Sequence, residues 1–497
     1  MSRSTAVITR AALAVALAAS AAAAQKPAPK SNPTSFDRTV VPTAGKLPEL
    51  HVPTWSAETL SDGAQLIVSE KHDLPLVSFS ISWVGGANQY EAPDKTGLAS
   101  IVSTMLTEGT THRSGDQLSE DLQLLGTNIG TSIGGETGQM GFVSMKDKFA
   151  PVLAVLEDML VNPTFPEPAL ERLRARTLVG LTQSLDRTAV LASHVFDHEV
   201  YGTQHPYGRY TTEQSVKAIT HDDVVAFHKA YFTPGHAIIT VVGDITPAEA
   251  KATIEKALAP WPAGGSKPSF DYPAPPTPKG TTIWLGDKGG AAQSSFAIGG
   301  VGPSRGTPDY YALRVMNTIL GGMFQSRLNA DIREQKGYSY GVGSGFAFGR
   351  GPGPFEASGE IVTAKSDSAL LEFMKHLRGI RGDIPVTDEE LSTAKSKLVQ
   401  ELPERFSSVS STAGSIVSLY LQDLPRDFYQ NFPSEVGKVT RDGVMQAAQK
   451  YVDPDHLSIV IVGDRKSIEE PLRATKVAPV VLVDNDGNPL PGQNPVP

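Results

Sequence analysis

Residues 231–244 read Tyr-Phe-Thr-Pro-Gly-His-Ala-Ile-Ile-Thr-Val-Val-Gly-Asp, and residues 451–464 read Tyr-Val-Asp-Pro-Asp-His-Leu-Ser-Ile-Val-Ile-Val-Gly-Asp. Seven of the fourteen positions are identical at a constant offset of 220, so the chain carries an internal repeat. Each block joins a helix end, a proline turn and an apolar, β-branched run that reads as a buried strand. A duplication of this period is what two homologous domains leave. His236 and His456 are then turn residues of the repeat rather than ligands.

Working outward, the two halves open alike. Leu66–Ser69 and Leu76–Val84 read as paired strands, and a helix is expected from Pro93 to Leu106. In the second half Thr281–Leu285 and Ser294–Ile298 read as strands, a helix from Pro308 to Leu320 follows, and Gly353–Val362 alternates as a half-buried strand. Strands grouped with long helices, without steady βαβ alternation, indicate an α+β class. Pro262, Pro268, Pro273, Pro275, Pro276 and Pro278 mark 262–280 as a stiff, extended linker. The expected organisation is an N-terminal domain over 46–261, a C-terminal domain over 281–470, and a tail over 471–497.

The chain has 497 residues, 20% charged and 40% hydrophobic, with a net charge of -9 and no cysteine. Without a basic run, nucleic-acid binding is disfavoured. Arg3 and Arg10, the Ala-rich stretch to Ala24 and the following Gln25 read as a secretory signal over 1–24. Its apolar run is shorter than the roughly 20 residues of a spanning helix. No stable membrane span is expected after cleavage. Residues 25–45, rich in Pro, Lys, Ser and Thr, read as a flexible lead-in. Export without cysteine fits a bacterial periplasm.

Residues 97–110 read Gly-Leu-Ala-Ser-Ile-Val-Ser-Thr-Met-Leu-Thr-Glu-Gly-Thr. This frame resembles the zinc helix of the inverted zinc peptidases, the pitrilysin, insulinase and mitochondrial-processing-peptidase family, where it carries His-x-x-Glu-His. Ser100, Ser103 and Thr104 stand at the three motif positions. Neutral hydroxyls are poor zinc ligands, and a serine cannot act as the general base near neutral pH. The interval at which the family places its third ligand, a Glu, ends at Gly180. These four positions therefore form a degenerate metal site. No cofactor is expected in this chain, and zinc is expected in a partner subunit.

The resemblance covers roughly residues 45–470. It implies two similar α+β domains, each a mainly antiparallel sheet with helices packed on one face, arranged as a clamshell. The second half also carries Arg333-Glu-Gln-Lys-Gly-Tyr-Ser-Tyr340. This Arg-x6-Tyr pattern resembles the substrate clamp of catalytic members, whose side chains donate hydrogen bonds to the peptide at the reacting centre. The implied role is that of a non-catalytic subunit, inactive alone. It would supply Arg333 and Tyr340 in trans to a homologous subunit that carries His-x-x-Glu-His and hydrolyses peptides. The alternative is a catalytically inert peptide-binding or scaffolding protein, homodimeric or not.

Three further signals carry less weight. His194 and His198 stand at i, i+4 with Glu199 and His205 nearby, a spacing that can hold a metal but that packing histidines share. Gly341-x-Gly343-x-Gly345 lacks the strand-loop-helix context of a phosphate loop. Arg172, Arg174 and Arg176 read as solvated helix faces.

Overall fold

The computed structural model describes residues 50–493. The expected signal over 1–24 and the lead-in over 25–45 lie outside the described residues. Two six-stranded sheets organise the rest. The first is built from β1 (Ser56–Thr59), β2 (Gln65–Glu70), β3 (Leu76–Val84), β4 (Gly130–Ile133), β5 (Thr137–Met145) and β6 (Ala237–Gly243), in the order β1-β2-β6-β3-β5-β4. The second is built from β7 (Thr282–Asp287), β8 (Gln293–Val301), β9 (Ser339–Phe346), β10 (Pro354–Val362), β11 (Ser458–Gly463) and β12 (Val480–Val483), in the order β12-β7-β11-β8-β10-β9. The repeated blocks supply β6 and β11. Each lies between a parallel neighbour, β2 or β7, and an antiparallel one, β3 or β8.

The sheets differ at one edge. β1 precedes its neighbour in the chain and pairs with it antiparallel, whereas β12 comes from the far end of the second half and pairs with β7 in parallel. The segment expected as a tail outside the second domain thus completes that domain's sheet. This corrects the expected end at 470.

Side-chain alternation sorts each central strand between two cores, because successive residues point to opposite faces. Leu66, Val68, Ile239 and Val241 face the helices of their own half, α1 (Leu98–Met105), α2 (Phe149–Val161), α3 (Glu167–Ser184) and α5 (His221–Tyr231). The alternate residues Ile67, Ile238 and Val242 face α9 (Val409–Leu421), a helix of the other half. The second sheet is arranged in the same way. Ile283, Leu285, Ile459 and Ile461 face α6 (Tyr310–Leu320), α7 (Ser366–Arg378), α8 (Asp388–Gln400), α10 (Phe428–Lys438) and α11 (Arg441–Tyr451). Trp284, Ala297, Val460 and Val462 face α4 (Thr188–Tyr201), which belongs to the first half.

Each half therefore packs its own helices on one face of its sheet and receives a single helix from the opposite half on the other. The architecture is two α+β domains set as a clamshell. On α9, Val409, Ile416 and Val417 are buried against the first sheet. At about 2 kcal/mol per buried aliphatic side chain, they contribute about 6 kcal/mol before entropy is subtracted.

A carboxylate fastens the halves. Glu136, in the turn between β4 and β5, accepts the hydroxyl of Tyr207 and that of Tyr272 (2.9 Å). It also accepts the backbone N–H groups of Arg350 (2.7 Å) and Gly351 (3.2 Å) in the β9–β10 connection. Tyr272 lies in the proline-rich segment, which has neither helix nor strand from 262 to 280. Among the described residues no helix is long and apolar enough to cross a membrane.

Candidate functional site

The helix expected from Pro93 to Leu106 is divided. Pro93–Lys95 form a 3-10 turn, and α1 begins at Leu98 after Gly97, whose φ of +103° is strained for any residue with a side chain. A Cβ at Gly97 would meet Thr211 Cγ2 at 2.8 Å. The opening amides of α1 are satisfied by Glu91, whose Oε1 accepts from Gly97 N (3.1 Å) and Ala99 N (2.7 Å). Burial pushes the Glu91 carboxyl up, and these two amides partly offset it.

Leu98, Ile101, Val102 and Met105 turn α1 toward the core, which leaves Ser100 and Thr104 on the opposite face. Two of the three motif hydroxyls are spent on the helix itself. Ser103 Oγ donates to the Ala99 carbonyl (2.7 Å), and Thr104 Oγ1 donates to the Ser100 carbonyl (3.1 Å). Gly180 lies on α3, which packs against α1, and nothing stands within 4 Å of where its Cβ would be. Zinc does not fit this set, because it offers no imidazole, carboxylate or thiolate.

Arg333 and Tyr340 flank a second construction. Asn329–Gln335 form a π-helical turn, a local widening often found at functional positions. The Arg333 guanidinium lies 4.7 Å from the centroid of the Phe324 ring and 3.1 Å from Glu334. Tyr340 is 86% exposed on the edge strand β9. The β9–β10 register slips between Gly359 and Ile361, so Tyr340 and Gly341 together oppose Glu360. Such a bulge re-aims side chains at sheet edges. Ser339 holds it, with its Oγ donating to the Glu360 carbonyl (2.7 Å) and accepting from Gly341 N (3.0 Å). Gly341, Gly343 and Gly345 all lie in β9, not in a phosphate loop.

The expectation of no cofactor site in this chain is corrected by a cluster beneath the π-helical turn. Asp331, Glu372 and His376 offer one donor atom each, all within 4.8 Å of one another, a set of two oxygens and a nitrogen able to hold a metal ion. The same groups also form an ion cluster. His376 Nε2 lies 2.7 Å and Lys375 Nζ 3.0 Å from Asp331 Oδ2, Lys375 reaches Glu372 at 2.8 Å, and Lys336 pairs with both carboxylates. Burial pushes Asp331 up, but the hydrogen bonds from His376 and Lys375 outweigh it and hold the carboxyl well below the usual range. Burial lowers His376. Glu372 and His376 stand at i, i+4 on α7, a metal-type spacing visible in the sequence. Asp331, on another element, gives no such signal.

The remaining histidines are placed singly. His194 stacks on Tyr210 with centroids 4.3 Å apart, His198 lies 3.3 Å from Glu199, and His205 Nδ1 accepts from Tyr207 N (3.0 Å). Among the described residues they are not gathered into a metal-type group. His236 is buried against Tyr90, and burial lowers it to about 4. His456 is exposed beside Asp453.

Sequence reasoning also missed a carboxylate pair. Asp197 on α4 is pushed up to about 7, first by burial and then by Glu356 on β10. Burial likewise raises Glu356.

Two family models match the chain. One, described as Insulinase (Peptidase family M16), spans residues 67–200, and the other, described as Peptidase M16 inactive domain, spans 218–398. A Bacillus subtilis protein described as an uncharacterized zinc protease is 23% identical over 355 residues, 71% of this chain and 85% of its own length. A Helicobacter pylori protein described as a non-peptidase homolog is 23% identical over 408 residues, 81% of this chain and 92% of its own. Among solved structures, a peptidase M16 inactive domain from Pseudomonas fluorescens aligns with a TM-score of 0.75 at 26% identity, covering 82% of this chain and 98% of that one. A Helicobacter pylori protease aligns with a TM-score of 0.73 at 16% identity, covering 82% and 99%.

Proposed function

The chain belongs to the insulinase (M16) peptidase family as a non-catalytic member, and on that premise we propose that it completes the active site of a homologous partner. The partner carries His-x-x-Glu-His, and this chain supplies Arg333 and Tyr340 across the interface. The observation that carries the reading is the presentation of Tyr340: a large aromatic, 86% exposed, on a bulged edge strand that packs against the turn carrying Arg333. Exposure of this kind gives nothing to the fold of the chain itself.

Hydrolysis of a peptide builds negative charge on the carbonyl oxygen. A guanidinium and a phenol are donors able to meet that oxygen or the neighbouring carbonyls, and such contacts matter most where water is excluded. Ser100, Ser103, Thr104 and Gly180 supply neither ligand nor base, so the chemistry must come from the partner. The assembly is exported to a bacterial periplasm and acts on peptides.

Co-expression with His-x-x-Glu-His homologues of the same compartment, followed by size-exclusion chromatography and peptide cleavage, tests the reading. A heterodimer more active than the partner alone is expected. If every such homologue elutes separately and is fully active by itself, the reading fails and an inert peptide-binding or scaffolding protein replaces it.

A further inference from the structure

A pocket of about 260 Å³ in the second half shares no residue with the sites described above. Its walls come from distant parts of the chain. Arg305 lies in the loop before α6, Tyr310 and Arg314 on α6, Phe348 in the β9–β10 connection, Arg405 in the turn before α9, and Phe428 on α10.

Arg305 is 9% exposed. Its guanidinium carbon lies 3.5 Å from the Tyr310 centroid and 4.9 Å from that of Phe428. Stacking covers the flat face of a guanidinium and leaves its hydrogen-bonding edge unused. Among the described residues, no acceptor takes a hydrogen bond from the Arg305 guanidinium and no carboxylate pairs with it. Its backbone N–H alone is engaged, by the Gly349 carbonyl (2.8 Å).

Arg314 reaches the Tyr310 hydroxyl (3.1 Å), and Arg405 lies 6.0 Å from the Tyr429 ring. Neither has an ion-pair partner among the described residues. The acid in the wall, Glu401, is paired with Lys397 at 2.6 Å. Burial and the charge of Arg314 both press Arg305 downward, yet an arginine stays charged in proteins.

The unused guanidinium edge of Arg305, joined by two further arginines without carboxylate partners, gathers positive charge at the pocket that an entering anion would neutralise. We propose that this pocket binds a small organic oxyanion, a carboxylate or phosphate carried on an aromatic or apolar body. The guanidinium edges take the oxygens, and Phe348 and Phe428 take the body. The volume lies just below the usual range for drug-sized ligands, so the occupant is small.

Isothermal titration of the full chain with phenyl phosphate, benzoate and inorganic phosphate tests this. Single-site binding of phenyl phosphate or benzoate is expected, with inorganic phosphate weaker because it lacks the body. The tighter of the two aromatic probes identifies phosphate or carboxylate as the source of the oxyanion. Arg314→Gln and Arg405→Gln, both at positions less buried than Arg305, should each weaken binding at least about tenfold, the worth of one charge-assisted contact. Circular dichroism would confirm that both variants fold. No binding of any probe to the wild type up to about 10 mM, well into the weak end of the affinity scale, overturns the proposal. So does wild-type affinity in both folded variants.

Discussion

Replacing Asp197 by Asn should stabilise the contact between α4 and the second sheet, and more strongly at neutral to alkaline pH than at acid pH. Asp197 faces Glu356 across that contact, and among the described residues neither carboxylate has a cationic partner. Its pKa rises from an ordinary value of 3.8 to about 7, so the folded chain binds more protons than the unfolded chain between those values. Stability contributed by the protonated form is therefore present at low pH and is lost as pH rises, with the loss levelling off near pH 7. At ~1.4 kcal/mol per pH unit, the full shift corresponds to about 4 kcal/mol at pH 8. Relaxation around a partly solvated pair reduces this to about 2 kcal/mol. At pH 5 the penalty is about a third as large, because the folded carboxyl is still protonated. Asparagine keeps the shape and cannot ionise. Native-state hydrogen exchange of residues 188–201 is the assay, since it reads local opening directly. Protection of α4 in Asp197→Asn should rise roughly 30-fold over wild type at pH 8 and only a few-fold at pH 5. Equal protection at pH 8, or a loss of it, would refute the reasoning.

Three other outcomes are expected. In an intact heterodimer, Arg333→Ala or Tyr340→Phe should lower turnover about 100- to 1000-fold, the usual effect of losing an oxyanion donor, while thermal denaturation of the chain alone stays close to wild type; unchanged kinetics from both variants would reduce the pair to a structural remnant. Glu136→Gln removes the charge that four donors share and should weaken the joint by about 2 kcal/mol. Limited proteolysis should then cut the 347–353 connection faster, and an unaltered cleavage rate would count against the joint. Asp331→Asn deprives Lys336, Lys375 and His376 of their common acceptor; with solvent screening allowed for, a loss of about 2 kcal/mol is expected. Denaturation of both proteins checks this, and identical stability would remove Asp331 from its central place.

The repeat was legible because β6 and β11 are central strands, buried on both faces, and such strands must be written as continuous apolar runs. That continuity says both faces are covered without saying by what. Leu191, Val195 and Phe196 on α4 give no sign that they cross to the other half's sheet, nor does Ile416 on α9. The outer strand β12 was lost in a proline- and aspartate-rich stretch because an edge strand of four residues makes little pattern. On α1 the helical period fixes which side chains share a face, so the resemblance to the family's zinc helix is enough to say which positions would carry ligands. The break at Gly97 escaped notice because a left-handed glycine is a conformational fact rather than a periodic one. The Asp331 cluster and the arginine pocket are assembled from segments far apart in sequence, where spacing is silent.

The exchange of α4 and α9 also orders events during synthesis. When β6 leaves the ribosome the first sheet has all its strands, yet Ile67, Ile238 and Val242 still lack their cover. That cover begins at Val409, about 170 residues later, and at roughly 5–20 residues per second the wait is on the order of 10–30 seconds. Through that interval the nascent chain displays an apolar strand face. The first half released by itself would be a client for holding chaperones, and the two halves made as separate chains would each be rescued by the other.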